Sequence, residues 1–368
     1  MMRIVKQVCI AIAVLAVLIV AGGTALYFVP ALQDLVIART IDRTLESRHD
    51  GILAEDALRV AVCGSGSPLA NSVRRPSCNL VFAAGKIFVV DAGSGSFALV
   101  ARWRLPLDRL AGVFLTHFHS DHIADLPEVR LQSWVQQRPA PLPVFGGPGI
   151  ERVVSGFTEA FALDDFYRIA HHGPDFLKPA NGPMLPQEIA NADGTPLKEH
   201  QSKVVYEKDG LIVTAFAVAH PPVVPAYGYR FDYKGRSVVF SGDTHQSQSL
   251  AEHARGADVL LHEAMDKSIV GLAAAAAVRA QNPVTAKIMA DIPDYHSSPQ
   301  EAAETAKTAG VAHLVLTHLI PPIPSWLGNR IFLRGTQVTG VKTHIAFDGM
   351  LIELPAHLKT VKFDDMGR

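Results

Sequence analysis

Cysteine is scarce in this chain, with three residues in 368. None has a second Cys or His beside it at zinc spacing, so a cysteine-built zinc module is not expected. Cys9 lies in an apolar N-terminal run. Cys63 and Cys78 fall in two candidate neighbouring strands and read as small buried hydrophobes. Pairing is the alternative, open in an oxidising compartment. Charge is scarce too: Asp, Glu, Lys and Arg make up 19%, and the formal net charge is −1. Lys and Arg form no block beyond short pairs such as Arg74-Arg75. Proteins that grip RNA or DNA usually carry a basic stripe, because phosphate neutralisation supplies most of their non-specific affinity. Nucleic acid is therefore not expected as a partner. Gly64-Ser65-Gly66-Ser67-Pro68 is glycine-rich, but no Gly-Lys-Ser/Thr follows, which excludes a Walker phosphate loop.

Apolar residues are abundant, at 48% of the chain. After Arg3 and Lys6, the 22 residues from 8 to 29 carry no charge. At about 1.5 Å each they span a hydrocarbon core of about 30 Å. Positive charge ahead of the run places the N-terminus inside and the remainder outside. A secretion signal has a shorter apolar region, about 7–15 residues, and Gly23-Thr24-Ala25 is a weak cleavage site. Length thus favours a membrane anchor over 1–29, with the rest exported to the periplasm or another extracytoplasmic space. A cleaved secretion signal is the alternative. Pro30 ends the segment, and Leu32, Leu35, Val36, Ile41 and Leu45 recur at helical spacing over 31–47. We expect a stalk over 30–56, one large domain over 57–358 and a C-terminal tail over 359–368.

Within the domain, short apolar runs alternate with helical patterns. Strands are expected at 58–62, 79–83, 86–90, 111–115, 141–145, 211–218, 227–232, 237–240, 258–263 and 311–316. A last strand pair is expected near 344–347 and 350–354. Helices are expected at 123–135 and 150–162, with two more in the Ala-rich stretch 268–290. Ser298-Pro299-Gln300-Glu301 opens another with a capping box. Residues 165–200, rich in Pro, Gly and Asn, read as a long loop carrying His171, His172 and His200 on the surface. Strands alternating with helices imply an α/β fold.

Ionisable residues recur at the strand ends. His117, His220, Asp243, His262 and His318 each follow a short apolar run. A buried, unpaired ionisable group is costly, so these side chains are expected to share a metal or one another. The densest stretch is Thr116-His117-Phe118-His119-Ser120-Asp121-His122. Imidazole and carboxylate at this density suit zinc or a similar first-row metal. His117 and His119 can reach one ion, and Asp121 and His122 another. Asp91, at a strand end before glycines, either buttresses a metal-binding histidine through its second nitrogen or simply forms a turn.

With those residues in place, the chain resembles the metallo-β-lactamase superfamily. The matching blocks are His117-x-His119-x-Asp121-His122, His220, Ser241-Gly242-Asp243 and Thr317-His318. Within it the chain is similar to the ribonuclease Z-like group, through 64–68, 91–95, Leu261-His262-Glu263-Ala264 and His296-Ser297. The texture of 114–117, 124–127 and 316–321 looks like the exported arylsulfatase branch. The resemblance implies a four-layer αββα sandwich preceded by the transmembrane helix, and two Zn²⁺ ions, with Mn²⁺ or Fe²⁺ able to use the same donors. It implies His117, His119 and His220 on one ion, Asp121, His122 and His318 on the other, and Asp243 bridging. A hydroxide between the ions would be the nucleophile, and Asp121, His262 and His296 the catalytic side chains. His262, steadied by Glu263, would protonate or position the leaving oxygen. His296 would contact the anionic group. The Gly/Lys-rich arm that grips tRNA in ribonuclease Z has no counterpart here, and Met265 departs from the group's His-Glu-Ala-Thr block. The expected function is hydrolysis of a small anionic ester, an aryl sulfate or phosphodiester. The alternative is a ribonuclease Z-type tRNA 3′-processing endonuclease.

Overall fold

Alternation along the strands sorts side chains between three apolar layers. A computed structural model of the protein describes residues 2–46, 49–54, 56–71 and 73–367, without the side chains at 44–46 and 325. Residues up to His49 form one compact unit and Asp50–Arg368 another. In the first unit, α1 (Met2–Phe28) is long and apolar enough to cross a membrane. It is followed by α2 (Pro30–Glu46). Position 47 and the Leu45 side chain of the expected amphipathic helix lie outside the described residues.

In the second unit the chain lays down one sheet, then another, then returns to the first. The strands β1 (Ala57–Gly64), β2 (Cys78–Ala83), β3 (Lys86–Ala92), β4 (Leu110–Phe114), β5 (Leu142–Gly146) and β6 (Met184–Glu188) enter the first sheet. The strands β7 (Ser202–Lys208), β8 (Leu211–Ala217), β9 (Tyr227–Tyr233), β10 (Arg236–Phe240), β11 (Val259–Met265), β12 (His313–Ile320) and β13 (Lys342–Ile345) build the second. The last two, β14 (Met350–Pro355) and β15 (Lys362–Asp365), return to the edge of the first beside β1. Helices α3 (Ser96–Val100), α4 (Ser120–Ile123), α5 (Leu126–Val135) and α6 (Ile150–His172) connect strands of the first sheet. Helices α7 (Gln248–His253), α8 (Lys267–Arg279), α9 (Pro283–Asp291), α10 (Pro299–Ala309) and α11 (Ser325–Phe332) connect strands of the second.

Val60, Val81, Phe88, Val90 and Phe114 of the first sheet meet Val213, Tyr229, Phe231, Val238 and Leu261 of the second in one buried cluster. The alternate residues Leu80, Phe82, Val89 and Val113 face outward and pack under Phe97 of α3, Val129 of α5 and Val154 of α6. On the far side Val239, Leu260, Leu314 and Leu316 pack under Leu250 of α7 and Ala302 and Ala306 of α10. Period-two side-chain alternation thus yields helix, sheet, sheet, helix. This is the αββα arrangement of the metallo-β-lactamase fold.

Several local expectations differ from the structure. Residues 165–172 are not loop: α6 continues to His172, aided by an Asp164–Arg168 ion pair at 2.7 Å, and stops where Gly173 takes φ +86°. It buries only Ile150 and Val154, so no apolar stripe marks its length. The expected helix over 123–135 divides into α4 and α5. The expected final pair does not pair: β13 lies parallel to β12 in the second sheet, while β14 is antiparallel to β1 in the first. Part of the expected tail is strand β15, paired with β14. Cys63 and Cys78 form a disulfide across β1 and β2, with Cα atoms 4.9 Å apart.

Candidate metal centre

The loop after β4 passes between the ends of both sheets. Leu115 N donates to Phe145 O of β5 at 2.9 Å, and Thr116 O accepts from Tyr227 N of β9 at 2.9 Å. These bonds pin the segment that follows. His119, in extended backbone, is the N-cap of α4, on which Asp121 and His122 then fall, and His117 lies two residues before it. His220 arrives from the segment after β8, Asp243 from the turn after β10, and His318 from β12. Gly242 makes the second approach possible. Its φ is +62°, and a Cβ there would lie 2.7 Å from Tyr227 O. His318 itself holds φ +48°, an unusual conformation for a non-glycine residue.

Two groups of donors result. His117, His119 and His220 form one, and Asp121, His122, Asp243 and His318 the other, each with one atom per residue within 4.8 Å of the rest. His117 Nε2 lies 2.9 Å from His119 Nδ1. His318 Nε2 is 3.1 Å from Asp121 Oδ2 and 3.3 Å from Asp243 Oδ2. His122 Nε2 stands 3.4 Å from each of the same two carboxylates. All seven side chains predicted as ligands therefore meet in one place.

The buttresses are also resolved. His122 Nδ1 donates to Asp91 Oδ2 at 2.8 Å, and His220 Nδ1 donates to Tyr295 O at 3.0 Å. Each ring is thus turned so that Nε2 points into the centre. Both Nε2 atoms are buried without a hydrogen-bond partner. Orphaned imidazole nitrogens beside two buried carboxylates fit divalent cations of the zinc type.

Protonation follows the same division. Burial pushes His117, His119 and His220 below the ordinary imidazole value, which favours the neutral form that ligates metal. Burial opposes charge on His122 as well, but Asp243, Asp91 and Asp121 outweigh it and raise the group well above its usual value. His318 is raised by Asp243 and Asp121 against the same penalty. Asp121 and Asp243 are held below the carboxylate range despite burial, through the neighbouring His122 and His318. The second group thus concentrates negative charge where a cation would sit.

His262 and His296 part company. Along β11, Leu260 faces the α10 layer and Leu261 the inter-sheet core. His262 follows Leu260 and points away from the centre, its Nδ1 donating to Glu263 O at 2.7 Å. His262, expected to handle the leaving oxygen, thus has its ring on the face turned from the cavity. Glu263 points the other way and serves His296. Its Oε1 accepts from His296 Nδ1 at 3.0 Å, from Ser297 N at 3.0 Å and from Thr244 N at 3.2 Å. Glu263, His296 and His318 form a third cluster beside the donors. His171, His172 and His200 stay outside the centre and are exposed.

A cavity of about 290 Å³ opens over the donors. His119, Asp121, Asp243, His296 and His318 line one side. Leu69, Ile288, Ile292, Tyr295 and Ile320 line the other. Sequence reading missed this second side. The spacing of Ile288 and Ile292, one helical turn apart, and the position of Tyr295 directly before His296 were its available signals.

Residues 87–319 match the family described as a β-lactamase superfamily domain. The chain is 38% identical over 269 residues to the ribonuclease Z of Mycobacterium bovis, covering 72% of this chain and 87% of that protein. It is equally similar to the ribonuclease Z of Mycobacterium marinum, with 72% and 88% covered. Among solved structures, human tRNase Z, short form, superposes with a TM-score of 0.58 at 22% identity, over 81% of this chain and 99% of that one. The metallo-β-lactamase fold protein YhfI from Bacillus subtilis gives 0.55 at 20%, over 81% and 99%. The solved structures share the fold; the family match and the 38% identity show that the chain belongs to the metallo-β-lactamase superfamily and that its homologues include ribonuclease Z.

Proposed function

We propose that the protein is a metal-dependent phosphodiesterase of the ribonuclease Z type. His117, His119 and His220 would hold one divalent cation, Asp121, His122 and His318 a second, with Asp243 between them. Nitrogen and carboxylate donors suit zinc, and manganese or iron could use the same set. Two such cations supply Lewis acidity and a hydroxide at neutral pH. The chain's own residues do the rest. Asp91 and the Tyr295 carbonyl aim two imidazoles, and Glu263 aims His296. Hydrolysis adds a hydroxyl to phosphorus and breaks the bond to the leaving alcohol, whose oxygen takes a proton. His296, which lines the cavity and is held through Nδ1, would hand one over.

The observation that carries this reading is the meeting of all seven donors under an open cavity in a chain 38% identical to ribonuclease Z. The names of the relatives favour RNA as substrate, against the expectation that nucleic acid is no partner. They lend nothing to aryl sulfate. A second reading, a compact phosphodiester, is favoured by the net charge of −1 and by the lack of Lys or Arg among the described residues lining the cavity. We further propose that the catalytic unit is exported behind α1. The Cys63–Cys78 disulfide supports an oxidising location.

The test uses the purified full chain against precursor tRNA, bis(p-nitrophenyl) phosphate and p-nitrophenyl sulfate, before and after chelation. Cleavage of a phosphodiester substrate, lost on chelation and regained with Zn²⁺, is expected. Turnover that survives complete metal removal would sink the proposal.

A further inference from the structure

The cavity has two unlike halves, and the second half is built to a purpose the donors do not explain. Leu69 comes from the loop after β1, Ile288 from α9, and Ile292 and Tyr295 from the short turn that follows α9. Ile320 is the last residue of β12, two positions beyond His318. These residues are not loosely held. Leu69, Ile292 and Ile320 pack with Met265, Val270 and Met289 in a small apolar cluster of their own. That cluster is assembled by the α8–α9 hairpin, whose two helices are both capped. Asp266 accepts from Ser268 N and Ile269 N, and Asn282 accepts from Thr285 N. Leu69, Ile292 and Ile320 are therefore held from behind against the donors, and the half-exposed Ile288 completes the wall.

From this surface we infer that the substrate is a phosphodiester carrying an uncharged apolar alcohol, an alkyl or aryl group lodged on Leu69, Ile288, Ile292 and Ile320. The inference rests on the phosphodiesterase reading given above. Three observations carry it. The wall is continuous with the residues that would hold the scissile phosphoryl group, so a group attached to that phosphorus falls on it. The described residues lining the cavity include no Lys or Arg to meet a second phosphate. A volume of about 290 Å³ has room for one organic group beside the phosphoryl, at the lower end of small-molecule sites. A nucleoside would bring base-edge donors and acceptors to a wall on which, among the described residues, Tyr295 alone carries a polar side-chain atom.

The experiment follows p-nitrophenol release from methyl, ethyl, propyl and butyl p-nitrophenyl phosphodiesters, with thymidine p-nitrophenyl phosphate alongside, using the metal-loaded full chain. Each buried methylene is expected to raise kcat/KM roughly threefold to fourfold. The Ile288→Asn and Leu69→Ser variants are expected to flatten that series. Val284→Asn, an exposed change on the same hairpin outside the cavity, keeps the wild-type slope. A flat wild-type series with measurable methyl ester turnover, or a thymidine ester cleaved faster than the butyl ester, overturns the inference and leaves the phosphodiesterase reading standing. Failure to cleave any of these esters, with or without added metal, overturns the inference, and failure on precursor tRNA as well removes the phosphodiesterase reading with it.

Discussion

His122 Nδ1 donates to Asp91 Oδ2 at 2.8 Å, and both side chains are buried. Asp91 is held in turn by Thr116, whose backbone N–H donates to Oδ1 at 2.8 Å and whose hydroxyl donates to Oδ2 at 2.9 Å. The carboxylate thus ties the end of β3 to the donor loop. Its own φ is +61°, a region that Asn tolerates nearly as well as Asp. Asp91→Asn therefore keeps the backbone but removes the charge behind the ring. We expect metal affinity to fall by about 10–100-fold with little change in melting temperature. Competition against a chromogenic chelator measures it, and unchanged affinity would remove Asp91 from the centre's support.

His296 and His262 provide a paired test. Both are buried, and each sits beside Glu263, one through its side chain and the other through its backbone carbonyl. His296→Ala is expected to lower kcat by about 10²–10⁴-fold while the fold stays intact. His262→Leu fills the same volume under α10 without a polar atom. It is expected to alter thermal stability and leave kcat within about threefold, because its ring does not face the cavity. A large kcat loss with unchanged stability in His262→Leu would restore the role the motif suggested.

Much of the centre was legible because its logic is local. A strand of four to six apolar residues is easy to see, and a histidine or aspartate at its end stands out. The partition of His262 from Glu263 was not read from the sequence, although period two along β11 assigns opposite faces to neighbours. Other features depend on partners far away in sequence. Nothing in residues 342–355 says that β13 and β14 join different sheets, because the turn between them is as short as a hairpin's. The strands β7 and β15 are polar edge elements with no apolar alternation to mark them. The apolar wall of the cavity draws on Leu69 and Ile320, 251 positions apart, and only the assembled fold brings them together.

The Cys63–Cys78 disulfide closes a loop with a sequence separation of 15. By loop-closure entropy a bridge of that span stabilises the fold by about 3 kcal/mol. The loop carries Leu69 to the cavity and Arg74 inward, where its guanidinium donates to Ser65 Oγ at 2.8 Å and to the Ala346 carbonyl. Replacing both cysteines by alanine is expected to lower the urea-unfolding free energy by about that amount. Reduction of the wild type should bring the two unfolding curves together. Curves that already coincide before reduction would show that the bridge contributes nothing in solution.

At the opposite end of the second sheet, His313 Nδ1 and His344 Nε2 lie 3.1 Å apart, so one donates and the other must accept. Phe363 of β15 stacks on His344, with ring centroids 4.1 Å apart. Burial pushes both imidazoles below their ordinary value. At His313 the charges of Lys342 and Arg236 add to the effect against Asp258, and at His344 those of His313 and Lys342 add to it. A folded-state pKa below the unfolded value of about 6.5 means the unfolded chain binds more protons as pH falls. The stability these groups contribute is therefore complete above about pH 6.5 and lost as pH falls toward the folded-state values. Acidification from pH 7.5 to 5.5 should lower the melting temperature and speed amide exchange in β15, whose Phe363 pairs with Ile352. His344→Phe keeps the ring stack and leaves one titrating group, so its melting temperature should fall less over the same interval. Equal slopes for the variant and the wild type would mean that the histidine pair does not set the acid sensitivity of this edge.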